Sequence, residues 1–388
     1  MNQHTFKLVL LSFLLIWSCH SSENKDSVIN VSDQFNSYSL QLNPPKANWI
    51  DLIDKVKIVG LEETEESLLG KIDNLTITDD KIAYGRVGEN TMFFFDRNGK
   101  FINKFNRKGD GPEEYATLWD YWLGDEVVRI HDPGHKRVVD YSFGGEFIKE
   151  TKLPYLATHA IGDDEQLWLD MTTGYVKDSI YARLVKYQPS TKEESYYLKQ
   201  DKMDAFILQF NQNTFRRYKE DILFKEFLSD SVYLIQNGAS QPFMHFNFGE
   251  DYFWKGEALS YNIQEGMPEI QRAGKVWQIV TTIGEQMVYL KCFTNTSMRA
   301  YRSYLLNRQS GNQTELDFGM GADQTFSFDV HLWHENQLVI SMLSSEVGEL
   351  LNRLDEDQYS FEGESSLDMV ESSENPALLF ITFKNTLN

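Results

Sequence analysis

Cysteine is nearly absent from this chain of 388 residues, which contains only Cys19 and Cys292. A framework of disulfides is therefore excluded, and the fold must be stabilised by a hydrophobic core. Apolar residues make up 41% of the sequence, which is enough for such a core. Long apolar runs are also missing: the run at residues 8–17 has ten residues, whereas a membrane-spanning helix needs about 20.

The short apolar run at the N-terminus predicts an export signal. Lys7 precedes the run, which leads into Ile16-Trp17-Ser18-Cys19, a sequence that resembles a bacterial lipobox. We therefore expect residues 1–18 to be removed as a signal peptide and Cys19 to be lipidated; the alternative is an ordinary secretory signal with an incidental cysteine. Residues 19–48 are polar and are interpreted as a tether. The expected location is the cell envelope, with a lipid anchor in a membrane, for example the outer membrane, on its periplasmic or surface face.

Positive charge is scarce, since 37 Lys and Arg residues stand against 58 Asp and Glu residues, for a net charge of −21. Such a field repels phosphate groups, which argues against nucleic acid as a partner. Catalytic motifs are missing as well, including the Gly-x-Ser-x-Gly elbow and the His-Glu-x-x-His zinc motif. No catalytic residue is assigned, and Cys292 is interpreted as a small buried hydrophobe.

What the chain does contain is a repeat, in which a polar turn precedes a short apolar strand. The six strand cores, each interpreted as the second strand of its unit, are Ile82–Tyr84, Val128–Ile130, Leu167–Leu169, Val232–Leu234, Val288–Leu290 and Leu338–Ile340. Successive cores lie 46, 39, 65, 56 and 50 residues apart, and blades of β-propellers repeat every 40–50 residues or so. The sequence therefore predicts an all-β fold: a six-bladed β-propeller over residues 49–388, with four-stranded antiparallel blades.

Two features predict how the blades are built and closed. Asn98-Gly99 and Gly144-Gly145 lie 46 residues apart and predict type I′ hairpin turns, which need positive φ at both central residues. The apolar strand at residues 56–61 precedes the first repeat, and another apolar strand at residues 377–384 follows the last one. We expect these two strands to pair within one sheet, because this would remove the two open edges of the ring.

Residues 346–374 depart from the repeat, with ten acidic residues and one basic residue, Arg353. Residues 347–354 have helical spacing. We interpret this segment as a solvated insertion with a short helix, placed between the second and third strands of the last blade. A functional lid is the alternative.

Residues 94–115 carry a family pattern. A D-x-x-G-K hairpin at Asp96–Lys100 is followed by Gly109-Asp-Gly-Pro-Glu-Glu-Tyr115. Together with the lipobox and Asn375-Pro376, this segment resembles the six-bladed β-propeller lipoproteins of gut Gram-negative anaerobes, which are propellers of the NHL and TolB type. The resemblance implies a fold and an export route but no reaction. The glycine-rich loop is interpreted as a blade crossover, because it lacks the lysine of a phosphate-binding loop and opens no helix.

Ligands of propellers usually bind where two sets of connections meet at the axis: those joining second to third strands and those joining successive blades. The connections assigned to this face are residues 85–90, 107–115, 131–136, 171–177, 236–242 and 293–299. The candidate ligand-binding residues there are Arg86, Arg107, Lys108, Trp119, His135, Lys136, Tyr175 and Arg299. Cations with aromatic planes suit an anionic or carbohydrate ligand, since arginine can bind a carboxylate through two hydrogen bonds. The alternative is that these are ordinary loop residues.

The sequence leaves three functions open. The first is binding of a glycan, peptide or protein through the axial loops, without catalysis. The second is a metal-assisted lyase or hydrolase in which His131, Asp132 and His135 hold a divalent metal. The third is a scaffold whose acidic insertion docks a partner.

Overall fold

The protein folds as six antiparallel sheets arranged as the blades of a β-propeller. The computed structural model describes residues 27–28, 34–86, 88–172, 174–177, 180–201, 213–297, 300–318 and 326–384. The first strands of neighbouring blades contact one another and therefore surround the axis. The predicted all-β, six-bladed fold is confirmed.

Twenty-nine strands are present in the described residues. Four precede the first complete blade: β1 (Ser27–Val28), β2 (Asn36–Ser39), β3 (Lys46–Asn48) and β4 (Ile53–Val59). Blade 1, from the axis outward, contains β5 (Asn74–Ile77), β6 (Lys81–Arg86), β7 (Thr91–Asp96) and β8 (Phe101–Phe105). Blade 2 contains β9 (Asp120–Leu123), β10 (Val127–Asp132), β11 (Arg137–Ser142) and β12 (Phe147–Lys152).

The remaining blades follow the same order. Blade 3 contains β13 (His159–Gly162), β14 (Leu167–Asp170), β16 (Ile180–Gln188) and β17 (Glu193–Lys199), with β15 (Tyr175–Lys177) paired to β16. Blade 4 contains β18 (Phe215–Tyr218), β19 (Asp221–Phe224), β20 (Ser231–Gln236) and β21 (Ala239–Asn247). Blade 5 contains β22 (Gln278–Ile283), β23 (Met287–Phe293), β24 (Tyr301–Asn307) and β25 (Gln313–Asp317). Blade 6 contains β26 (Phe328–His334), β27 (Gln337–Met342), β29 (Ala377–Phe383) and, outermost, β4, which also pairs with β28 (Tyr359–Phe361).

Helices are few and lie in the connections. They are α1 (Ile263–Ala273), α2 (Ser344–Leu351), α3 (Leu367–Ser372) and the 3-10 turns Ile50–Leu52, Pro133–His135, Gly249–Asp251, Gly256–Ser260 and Glu356–Gln358. None of these described helices has both the length and the apolar character needed to cross a bilayer.

The core consists of layers between adjacent blades. Ala83 and Phe94 of blade 1 and Ile130 and Tyr141 of blade 2 belong to one buried cluster. Each blade therefore covers an apolar face of its neighbour, as expected for sheets that could not bury both faces alone.

The predicted ring closure is confirmed. The N-terminal strand β4 pairs antiparallel with the C-terminal strand β29, with Val56 opposite Ile381 and Ile58 opposite Leu379. All four side chains are buried. The two ends of the propeller thus share one sheet.

The hairpin turns differ from the type I′ prediction. Gly99 and Gly145 have φ of 85° and 86°, but the residues before them do not have positive φ. Asp96 Oδ1 accepts hydrogen bonds from the backbone of Asn98 and Lys100 (2.8 and 2.9 Å), and the pairing register shifts in both hairpins. These features are typical of a type I turn followed by a glycine bulge.

The predicted tether differs from the structure over the residues that are described. β1, β2 and β3 add to the outer strands of blades 3, 4 and 5, each in parallel orientation. The strands β1 to β4, here called the belt, therefore lie along the rim of the propeller on blades 3, 4, 5 and 6. Cys19 and the signal peptide lie outside the described residues.

The acidic insertion lies between β27 and β29, as predicted. It is more ordered than a solvated loop, because Val347 and Leu350 of α2 and Val370 of α3 are buried in the core of blade 6. Its strand β28 pairs in parallel with β4. The acidic residues thus belong to an insertion whose helices and strand pack against blade 6.

The strand assignment in blade 4 is corrected. Val232–Leu234 lies in β20, the third strand of this blade, whereas the second strand is β19. Residues 236–242 therefore belong to the hairpin between the third and fourth strands and are not on the axial loop face. The second strand β19 carries the same pattern, since the tight Lys219-Glu220 turn precedes the buried apolar residues Ile222, Leu223 and Phe224. The pattern therefore occurs twice in blade 4, and the prediction took the later copy.

Candidate functional site

The face of the ring that carries the second-to-third-strand and blade-to-blade connections is here called the axial loop face. Inner strands begin at this face, so their first residues surround its centre. Asp120 and His159 are the first residues of β9 and β13, and Arg216 is the second residue of β18. Asp170 ends β14 at the same face. Four polar residues of three blades are thus directed to one region.

Asp120 and His159 form a buried pair. Asp120 Oδ2 lies 2.7 Å from His159 Nδ1 and 3.6 Å from Nδ1 of His131, which is fully buried. The partly buried indole of Trp119 stacks on His159, with ring centroids 6.3 Å apart and planes at 27°. Asp120 therefore fixes the ring of His159, and the ring of His159 in turn supports one face of the Trp119 indole.

The charges of this pair stabilise each other. Burial would raise the pKa of Asp120, but His159 and His131 more than offset it, so this pKa lies below its usual value. Burial would likewise lower the pKa of His159, but the Asp120 carboxylate raises it above the usual value of 6.5. At neutral pH and below, the pair therefore favours an imidazolium beside a carboxylate.

The His159–Asp120 pair predicts a pH-dependent stability. The contribution of His159 is fully present below its unfolded pKa of about 6.5 and is lost as the pH rises through the raised folded pKa, whereas that of Asp120 is lost as the pH falls through its lowered folded pKa. We expect the difference in melting temperature between wild type and His159→Gln to shrink from about pH 6 to 9. Thermal melts across this range measure it. A difference that does not vary with pH would contradict the charged pair.

Asp170 is the second buried carboxylate of this region. Its Oδ2 accepts a hydrogen bond from Thr214 Oγ1 (2.8 Å). Burial raises its pKa above the usual value, although His159 and Thr214 oppose the shift. Asp170 therefore ties blade 3 to the residue that precedes β18 of blade 4.

Arg216 is the cation at the centre of the axial loop face. Its charge acts on Asp120, His159 and His331, which belong to blades 2, 3 and 6. As the second residue of β18, the innermost strand of blade 4, Arg216 lies close to the axis. The residue is exposed to solvent, although burial among the surrounding blades lowers the pKa of its guanidinium.

The guanidinium of Arg216 has capacity for a ligand. Its Nη1 donates to the carbonyl of Phe215 (2.9 Å). Within the described ranges no carboxylate forms an ion pair with it. Because arginine carries five donors, most of them stay available to an anion.

The predicted ligand residues are dispersed, with Trp119 at the centre. Arg86 pairs with Glu89 (2.9 Å), and Arg107 Nε donates to the carbonyl of Gly145 in the outer hairpin of blade 2 (2.8 Å). The others that are described are solvent-exposed side chains of three connections: Lys108, His135 with Lys136, and Tyr175. Arg299 lies outside the described residues.

The structure separates the three residues predicted to hold a metal. His131 and Asp132 are adjacent in β10, so their side chains point to opposite faces of the sheet. His131 faces Asp120, whereas Asp132 Oδ2 contacts His135 Nδ1 (2.7 Å) and Arg137 Nε (3.2 Å). No group of three His, Cys, Asp or Glu side chains in the described part of the chain has the arrangement of a metal site.

The crossover interpretation of the glycine-rich loop is confirmed. Tyr115 is fully buried, and its hydroxyl donates to the carbonyl of Asn90 (2.7 Å). Arg137 donates to the carbonyls of Pro112 and Glu114 (3.2 and 2.5 Å). The loop therefore fixes blade 2 against blade 1.

Sequence reasoning missed the residues at the centre of the face: Asp120, His159, Asp170 and Arg216. The search was confined to loops, whereas these four lie on strands. One signal was available: a polar residue that opens or closes an otherwise apolar inner strand points toward the axis.

Known proteins resemble this chain mainly in their fold. A protein from Bacteroides fragilis, described as exported, has a solved structure with a TM-score of 0.69 at 13% identity, covering 91% of this chain and 100% of its own. This likeness shows the propeller fold. A member of the DUF4221 family from Bacteroides vulgatus has a TM-score of 0.48 at 13% identity, with coverages of 86% and 97%. A streptogramin B lyase has a TM-score of 0.38 at 11% identity, with coverages of 84% and 97%.

The last two likenesses are too remote to inform function. No curated protein sequence matches the chain. One family model matches it over residues 26–382, under the description domain of unknown function, DUF4934. Because this match spans almost the entire chain, the protein belongs to the DUF4934 family.

Proposed function

We propose that this protein is an exported, lipid-anchored propeller that binds an acidic glycan through its axial loop face, without catalysis. The observation that carries the proposal is Arg216, a solvent-accessible guanidinium near the axis with no carboxylate partner among the described residues. Guanidinium groups bind carboxylates through two parallel hydrogen bonds.

Trp119 supplies the second part of the binding site. Its ring is only partly buried and is held against His159, which is itself fixed by Asp120. Flat, rigid aromatic faces pack against apolar faces of ligands at little entropic cost. A uronic acid would offer a carboxylate to Arg216 and a ring face to Trp119.

The two buried carboxylates support binding rather than turnover. Asp120 is bonded to His159 and Asp170 to Thr214, so both carboxylates hold neighbouring blades in place. A glycoside hydrolase needs two carboxyl groups that face the scissile bond. The lyase or hydrolase hypothesis gains no support from its three proposed ligands, because His131 faces Asp120 on the opposite side of the sheet from Asp132 and His135.

Export and anchoring rest on the N-terminal pattern, with Cys19 as the proposed lipidation site. The Bacteroides fragilis protein with the same fold is described as exported. The belt begins at the rim of blade 3, so an anchor upstream of it would leave the axial loop face open to ligands.

Titration with galacturonic acid oligomers tests the proposal, with galactose oligomers of equal length as neutral controls. Wild type should bind the acidic oligomers, and Trp119→Ala should weaken this binding about tenfold through the lost stacking surface. Tyr175→Ala is the matched control, because this exposed ring contacts Tyr181 of its own blade. Equal affinity for the neutral oligomers, or no binding of either, would contradict an acidic-glycan site.

A further inference from the structure

The outer edges of the blades fall into two groups. The outer strands of blades 3, 4, 5 and 6 are each covered by a parallel strand, namely β1, β2, β3 and β28. In the ranges that the structure describes, β8 of blade 1 and β12 of blade 2 have no such partner. A strand with unpaired backbone groups is a template for another strand.

Exposed apolar side chains also distinguish the two uncovered outer strands from the four covered ones. Ile102 on β8 is 50% exposed and Ile148 on β12 is 47% exposed, and the two lie at equivalent positions 46 residues apart. Among the described residues of the four covered outer strands, no large apolar side chain is exposed. Exposed isoleucine thus marks the edges that lack a cover.

Charge distinguishes the two open edges. Residues 97–108 contain five basic residues and no acidic residue, in a protein whose net charge is −21. Lys100, Ile102 and Lys104 are exposed and alternate, so they form one stripe along β8. The equivalent stripe on blade 2 is Glu146, Ile148 and Glu150.

We propose that β8 binds an extended acidic segment of a partner protein, which adds to blade 1 as a parallel fifth strand. The backbone of β8 supplies the hydrogen bonds, Ile102 contacts an apolar residue of the segment, and Lys100 and Lys104 pair with acidic residues on either side of it. Lysines opposite lysines repel each other, so the same stripe disfavours pairing with a second copy of β8.

One contact shows that this edge accepts carboxylates. Glu62 Oε2 accepts a hydrogen bond from the backbone N–H of Phe101 (2.8 Å), at the start of β8. The N–H of Phe101 therefore points away from β7. From Ile102 onward, no backbone group among the described residues pairs with the outward side of the strand.

Hydrogen–deuterium exchange of the full-length protein tests the proposal. The probe is a capped peptide in which glutamate, valine and glutamate are separated by threonines, in the order Glu-Thr-Val-Thr-Glu. The control peptide has lysine in place of both glutamates. We expect the acidic peptide to slow exchange in β8 about tenfold without protecting β12, and the lysine peptide to have no effect. The protection should fall as salt is raised.

Variants at exposed positions separate docking from folding. Ile102→Asn and Lys104→Glu should each abolish the protection without changing the melting temperature, whereas Ile148→Asn on blade 2 should leave it intact. Protection by both peptides, protection at β12, or no protection at saturating peptide would overturn the proposal. Protection of β8 that rises with protein concentration without peptide would also overturn it, because the occupant would then be a second copy.

Discussion

Replacing Ile58 with aspartate is expected to prevent the propeller from closing. Ile58 is fully buried in β4, opposite Leu379 on one side and Phe361 on the other. The substitution places an unpaired charge in an apolar sheet and opens the junction between the two ends of the chain. We expect a loss of about 4–5 kcal/mol or more, which approaches the whole stability of many proteins. Urea unfolding followed by circular dichroism measures it.

The matched control lies on the same strand. Lys55 is exposed and pairs with Asp357 at 3.6 Å, so Lys55→Gln should change stability by less than about 1 kcal/mol. If Ile58→Asp unfolds at the same urea concentration as wild type, β4 does not close the ring.

Replacing Arg216 with glutamine is expected to have the largest effect on ligand binding. The change removes a charged, bidentate donor at the axis while keeping a side chain of similar shape. Hydrogen bonds to charged groups contribute about 1.5–3 kcal/mol, so affinity for galacturonic acid oligomers should fall roughly ten- to a hundredfold. Calorimetric titration measures the loss. The unfolding midpoint should stay near that of wild type, because solvent reaches this side chain.

Two further variants show whether the position of the arginine or only its positive charge accounts for binding of the acidic oligomers. Arg217 follows in the same strand and faces the other way, where Asp163 and Glu220 act on it, so Arg217→Gln should bind as wild type does. Arg216→Lys keeps the charge without the bidentate fork and should bind with intermediate affinity. If all three variants bind alike, the anion does not bind at the axis.

Much of the architecture could be predicted because local signals and ring geometry agree. The glycines of the Asn98-Gly99 and Gly144-Gly145 hairpins do adopt positive φ, although the residues before them do not. The pairing of β4 with β29 followed from two apolar strands that had no other partner. Such features are encoded within a few neighbouring residues.

Other elements could not be predicted because their partners are far away in the sequence. The belt strand Asn36–Ser39 is polar, since a strand on an outer edge pairs through its backbone and needs no apolar alternation. Helix α1 was missed because Gly266 and Pro268 interrupt its pattern. Its capping box, Asn262 with Glu265, was the signal that marked its start.

The candidate site was predictable only in part. Trp119 was identified as an aromatic residue of the axial loop face, but its partner His159 is 40 residues away. Which loop residues reach the axis depends on the twist of each blade. Arg107, for example, reaches the outer hairpin of blade 2 instead.

The pairing of β4 with β29 also determines when the propeller can be completed during synthesis. About 300 residues separate the two strands, so a nascent chain cannot complete blade 6 until the ribosome has translated nearly all of it. Long-range pairing of this kind is slow, and the unfinished molecule exposes apolar strands in the meantime. A polypeptide whose ring cannot close until its last strand is made is well suited to passing through a translocon and completing its fold on the far side.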